Sequence, residues 1–134
     1  MSKTMEDNCL FLLNTLNPIV TTYIDKPSSA AKYPYAVIKF NALNEVNENF
    51  DEFFFDIHVW YQNKTNNDNG FYKIESMTDS IRNRLKYLRE NGYIINLISY
   101  LKVEDENDTI HHRVIKYHAK YINMKDGGYN LLWL

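Results

Sequence analysis

The chain has 134 residues and a formal net charge of −2, so we expect one domain over residues 1–134 and no basic field that would draw it to nucleic acid or a membrane surface. The composition is 45% hydrophobic and 15% aromatic, with four glycines and three prolines, which argues against a disordered chain and favours ordered strands. The single cysteine excludes an intramolecular disulfide framework and is typical of a reducing compartment.

The first predicted element is an amphipathic helix that begins after Thr4 and ends before Pro18. Thr4 and Asp7 match a capping box in which Asp replaces the usual Glu or Gln. Proline disfavours helical backbone at the residue before it, so the helix should stop there. The apolar residues of one helix face recur at steps of three and four: Met5, Cys9, Leu12, Leu13 and Leu16.

Three strands are predicted next, at 19–24, 33–43 and 50–62. The third strand has the clearest alternation in the chain, and alternate residues of a strand point to opposite faces of its sheet. One of its faces is apolar and suited to a core: Phe53, Phe55, Ile57, Val59 and Tyr61. The other face mixes charge with large aromatic side chains: Glu52, Phe54, Asp56, His58 and Trp60.

A turn-rich loop then leads into a long amphipathic helix predicted over 71–90, which Asn91-Gly92 should end. Two strands follow, at 93–103 and 110–124. The fourth strand is predicted to keep four apolar residues on one face: Ile95, Leu97, Leu101 and Val103.

In the fifth strand, the apolar residues switch from one face to the other near Arg113, which predicts a bulge at that position. Residues 125–134 form an apolar C-terminal tail after this strand. The order α-β-β-β-α-β-β predicts an α+β fold, in which an antiparallel sheet of about five strands carries both helices on one face.

Few patterns in the chain point to catalysis or metal binding. Cys9 falls on the apolar stripe of the first helix, where a buried small side chain is expected. Glu52 and Asp56 share a strand face, but almost any exposed strand supplies such a carboxylate pair. The histidines lie in predicted strands without the spacing of helical zinc ligands, and we predict no catalytic residue, metal or cofactor. These histidines are His58, His111, His112 and His118.

Basic residues on the second helix, together with an aromatic sheet, offer an alternative interpretation as a nucleic-acid-binding domain. The net negative charge favours a solvated helix face instead. The four basic residues are Arg82, Arg84, Lys86 and Arg89.

The N-terminal segment MSKTMEDNCLFLLNTL lacks a basic region followed by a sustained apolar run, and no stretch approaches the length of a membrane span. We therefore expect the protein to be made and folded in the cytoplasm.

Two parts of the chain carry more apolar surface than a monomer needs: the mixed face of the third strand and the tail. Aromatic residues beside a polar rim are typical of subunit interfaces. An equally open alternative for the tail is that it folds back on its own domain. The predicted interface residues are Glu52, Phe54, Asp56, His58, Trp60, Tyr129, Leu131, Leu132, Trp133 and Leu134.

The whole-chain pattern resembles the tail terminator, or tail completion, proteins of long-tailed bacteriophages. The resemblance runs from about Met5 to Met124 and rests on a leading helix, YPYAVIKF, an acidic loop, FFFDIHVWYQNKTN, the helix IESMTDSIRNRL and a closing hairpin. Its most specific feature is a strand that ends Val59-Trp60-Tyr61 and is followed by an Asn-rich loop and an amphipathic helix.

The resemblance implies a structural virion protein, assembled in the bacterial cytoplasm, that forms a hexameric ring at the junction of tail and neck. Such a ring caps the tail tube, stops its polymerisation and joins the tail to the head connector protein. DNA passes through the bore of the ring without sequence-specific binding. A head-side neck protein, such as a stopper or adaptor, is the alternative within the same virion.

Overall fold

The computed structural model describes residues 3–46, 49–105 and 107–122, and within these ranges the side chains of 42–46, 49 and 50 are not described. Two α-helices, α1 and α2, and five strands, β1 to β5, form the fold, with a 3-10 turn between α2 and β4. In chain order the elements are α1 Met5–Leu16, β1 Thr22–Ile24, β2 Tyr35–Val46, β3 Asn49–Gln62, α2 Gly70–Lys86, the 3-10 turn Leu88–Asn91, β4 Tyr93–Val103 and β5 Ile110–Tyr121.

The strands form one sheet in the order β1-β2-β3-β5-β4. The predicted five-strand α+β fold is confirmed, but the prediction of an antiparallel sheet is wrong at one edge, where β1 pairs parallel with β2. The segment 25–34 carries the chain back past β1 before β2 begins, so both strands run in the same direction. The backbone N–H of Asp25 donates to the Ile38 carbonyl at 2.8 Å at the end of this pair.

Both helices contribute to the core on one face of the sheet. Leu12 and Leu16 of α1 and Ile74 and Ile81 of α2 are fully buried in a single cluster with the inward residues of β2, β3 and β5. The predicted apolar face of β3 is buried throughout: Phe53, Phe55, Ile57, Val59 and Tyr61.

The helix ends follow the local signals of the sequence. The Thr4 hydroxyl accepts from the Asp7 backbone N–H at 3.1 Å, and the Asp7 carboxylate accepts from the Thr4 N–H at 3.1 Å, so the predicted capping box is present. At the other end of the helical layer, Gly92 adopts a φ of +87°, which favours glycine. The second helix is shorter than predicted, because a 3-10 turn replaces its last residues.

The predicted bulge at Arg113 is wrong, because β5 pairs with β3 without a register shift. The irregularity lies instead in β4, between Leu97 and Ser99. It moves Leu101 to the sheet face opposite that of Ile95, so the predicted common face of these residues does not form. Arg113 keeps its place on the inner face, where it is 1% exposed.

Candidate functional site

The predicted interface residues of β3 all lie on the sheet face opposite the helices, here called the outer face. Glu52, Phe54, His58 and Trp60 are half-buried, and Asp56 is 8% exposed. This placement follows from the strand period of two, since the intervening residues fill the core. The other predicted interface residues, Tyr129, Leu131, Leu132, Trp133 and Leu134, lie outside the described residues.

Pairing with the neighbouring strands assembles an aromatic row across the outer face. Trp60 lies opposite Tyr35 of β2 and His112 of β5 in the register. Its indole stacks on the His112 ring with a centroid distance of 4.4 Å and lies 5.1 Å from the Tyr35 ring. His58 and Tyr33 extend the row at centroid distances of 5.6 Å from Trp60 and 5.3 Å from Tyr35. The rings pack mainly against each other, which holds them as one rigid apolar surface.

Two histidines of this row are hydrogen-bonded to each other. His58 Nδ1 lies 3.0 Å from His112 Nε2, so one neutral imidazole donates its N–H to the other. Burial, followed by the charge of His58, lowers the pKa of His112 to about 4. Burial and the nearby Lys39 also lower the pKa of His58. Both rings are therefore neutral at pH 7, which suits an apolar contact surface.

A hollow of about 320 Å³ lies beside the aromatic row on the outer face. Phe54 and Ile98 form its apolar wall, and Lys116 and Asp56 line it as well. Asp56 lies between Lys39 and Lys116 in the strand register. Its Oδ1 atom is buried and has no hydrogen-bond partner within the described ranges. The hollow thus combines an apolar wall with a buried carboxylate that lies between two lysines in the register.

Exposed apolar residues of the edge strand β4 continue this surface. Ile98 is 54% exposed and Leu101 46% exposed. The sequence prediction placed Leu101 on the same face as Ile95, because it carried an unbroken alternation through the strand. A bulge leaves no unambiguous signal in a run of apolar residues. The bulge between Leu97 and Ser99 is therefore evident only from the pairing of β4 with β5.

The remaining candidates from the sequence are dispersed. No group of three His, Cys, Asp or Glu residues that could hold a metal ion occurs in the described part of the chain. His111 Nε2 lies 3.0 Å from Asn63 Oδ1, and His118 Nε2 lies 3.3 Å from Glu52 Oε1. Among the described helices, none is long and apolar enough to cross a membrane.

One of the four basic residues predicted on the second helix makes contacts within the molecule. Arg82 pairs with Asp79 and lies 4.6 Å from the centre of the Tyr100 ring. Arg84 and Lys86 are exposed near the end of the helix. Of the four cations on which the nucleic-acid alternative depends, Arg82 is therefore engaged in contacts within the molecule.

The chain matches no family model, and no curated protein matches it. Among solved structures, it is similar to the bacteriophage SPP1 gp17 protein, with a TM-score of 0.50 and 17% sequence identity over 88% of each chain. At this identity the likeness concerns the fold. The chain therefore shares its α+β fold with a bacteriophage protein of nearly the same extent.

Proposed function

We propose that this chain is a structural virion protein of a long-tailed bacteriophage, a tail terminator whose copies close into a ring on the tail tube. The outer face carries this proposal: a rigid aromatic row and an apolar hollow lie together on the side of the sheet opposite the helices. The fold shared with a bacteriophage protein and the resemblance of the sequence pattern support the same function.

In this proposal the outer face is the surface through which sister subunits meet. A closed ring needs head-to-tail contacts between two different patches of each subunit. Trp60 and Phe54 are the aromatic anchors that such contacts use. The near-neutral charge of the chain lets DNA pass through the bore without being held.

The proposed partners are further copies of the chain in a hexamer, the tail tube protein and the head connector protein. Sedimentation velocity of the purified chain, with and without tail tube subunits, tests the proposal. We expect a ring-sized species and tubes of limited length when both proteins are present. A monomer at all concentrations that leaves tube length unchanged would contradict it.

Deleting the gene in the phage separates the terminator from a head-side neck protein. Loss of a terminator gives overlong or unjoined tails beside full heads. Loss of a stopper gives leaking heads beside tails of normal length, and that result would reject the terminator in favour of the neck alternative.

A further inference from the structure

The layer of helices contains a second concave surface, far from the outer face. It is a groove of about 730 Å³ between the end of α1 and the end of α2 with its 3-10 turn. Tyr87, which is 76% exposed, forms one wall. The apolar lining consists of Phe11, Pro18, Ile19, Tyr87 and Leu88.

The rim of this groove is rich in amide groups. Asn14, Asn83 and Asn91 line it, and all three are exposed. An amide side chain carries a donor and an acceptor, like the peptide group itself. Apolar walls with amides along the rim suit an apolar peptide segment, whose side chains need burial and whose backbone needs hydrogen bonds.

The chain leaves the described part of the structure beside this groove. The Ile122 backbone N–H donates to the Gly92 carbonyl at 2.6 Å, and Gly92 directly follows Asn91 of the groove rim. Six residues lie between Ile122 and Tyr129, and the seven Cα-to-Cα steps span at most about 25 Å when extended. The apolar segment 129–134 (YNLLWL) begins at Tyr129. The two glycines before it, Gly127 and Gly128, can adopt the backbone conformations that a turn requires.

We infer that the segment 129–134 binds the groove between α1 and α2 of its own chain. Because the chain leaves the described structure beside the groove, the segment is tethered close to it. Its effective concentration at the groove is therefore far higher than that of the same segment from another molecule. This placement removes the tail from the subunit interface and leaves the outer face as the contact surface. The inference does not depend on the terminator function.

A disulfide-trapping experiment on the full chain tests this inference. In a Cys9→Ser background, Leu131→Cys is combined with Tyr87→Cys at the groove, or with Tyr72→Cys as the matched control. Both tyrosines belong to the same helical segment and are well exposed, at 76% and 67%. Tyr87 lies fifteen positions after Tyr72, which corresponds to roughly 22 Å along a helix, so only the first pair should meet the geometry of a disulfide bond.

We expect the groove pair to form an intramolecular bond at least tenfold faster than the control pair at low protein concentration. Bonds that link two chains would overturn the inference in favour of a tail exchanged between copies. Equal rates for the two pairs would overturn it as well, since they would mean that the segment has no preferred site. Circular dichroism before oxidation checks that each variant is folded.

Discussion

At the scale of single residues, the contact between Arg113 and Glu75 shows how a charge is kept on an otherwise apolar sheet face. Arg113 Nε donates to Glu75 Oε1 at 2.7 Å, and Nη1 donates to the His112 carbonyl at 3.1 Å. Tyr100 also donates to Glu75, at 2.8 Å. Burial acts to raise the pKa of Glu75, but these hydrogen bonds outweigh it and the pKa is lowered.

Replacing Glu75 by Ala should lower the free energy of unfolding by about 3 kcal/mol, because it leaves the charge of Arg113 buried without its partner. We place the loss at the low end of the range for buried pairs, since the Glu75 side chain is 29% exposed. Urea denaturation measures it. Glu75→Gln keeps an acceptor and should lose less.

Asp79→Ala provides the control, because it removes the exposed ion pair with Arg82 on the same helix. Exposed pairs contribute about 0–1 kcal/mol. Equal losses for Glu75→Ala and Asp79→Ala would contradict the structural importance of the buried pair.

The histidine pair of the outer face makes stability depend on pH. The folded pKa of His112, about 4, lies below the usual value of about 6.5 for an unfolded chain. The unfolded chain therefore binds more protons, and the stability present above about pH 6.5 is lost as the pH falls towards 4. Thermal unfolding across this range should show a falling midpoint.

His112→Asn should reduce this slope, whereas His118→Asn should leave most of it, because His118 faces Glu52 and not the histidine pair. An unchanged slope in His112→Asn would mean that other groups dominate the pH dependence.

At the scale of elements, α1 depends on its capping box for a defined start. Thr4→Ala removes the hydroxyl that accepts the Asp7 N–H and should cost about 1 kcal/mol of stability. Chemical denaturation would measure this cost. Thr21→Ala changes another exposed threonine, outside any helix, and should have little effect; a comparable loss there would argue against a specific capping contribution.

The elements also show where sequence reasoning succeeds and fails. Thr4 and Pro18 act through the backbone within a few residues, so they predicted both ends of α1, whereas Gly92 ends the 3-10 turn and α2 stops earlier, at Lys86. The sequence predicts a bulge in β5, because the apolar residues change face near Arg113. In the structure Glu75, 38 residues away, accepts a hydrogen bond from Nε of that arginine, and β5 pairs with β3 without a bulge. A partner so distant in the chain has no local signal.

At the scale of the whole molecule, assembly should depend on the outer face. Trp60→Glu places a charge in the aromatic row and should weaken self-association at least about tenfold, as loss of an interface anchor does. Sedimentation velocity over a range of concentrations measures it. Unfolding curves for each variant separate weakened association from loss of the fold.

Tyr72→Glu is the matched control, because Tyr72 is an exposed aromatic residue of α2, on the helical layer. Its association should match that of the unchanged chain. If Tyr72→Glu disrupts assembly and Trp60→Glu does not, the helical side is the interface and the proposed arrangement of the ring is wrong.

The sequence by itself determined the features that depend on nearby residues: the two faces of β3, the apolar stripe of α2 and the start and end of α1. It predicted Phe54 and Trp60 on the mixed face, because alternation is a local geometric property. Tertiary structure alone decided that β1 runs parallel to β2, that Tyr35 and His112 flank Trp60, and that Ile98 joins Phe54 at the hollow. These contacts depend on strand order and register, and strand order and register arise from pairing between segments that lie far apart in the chain.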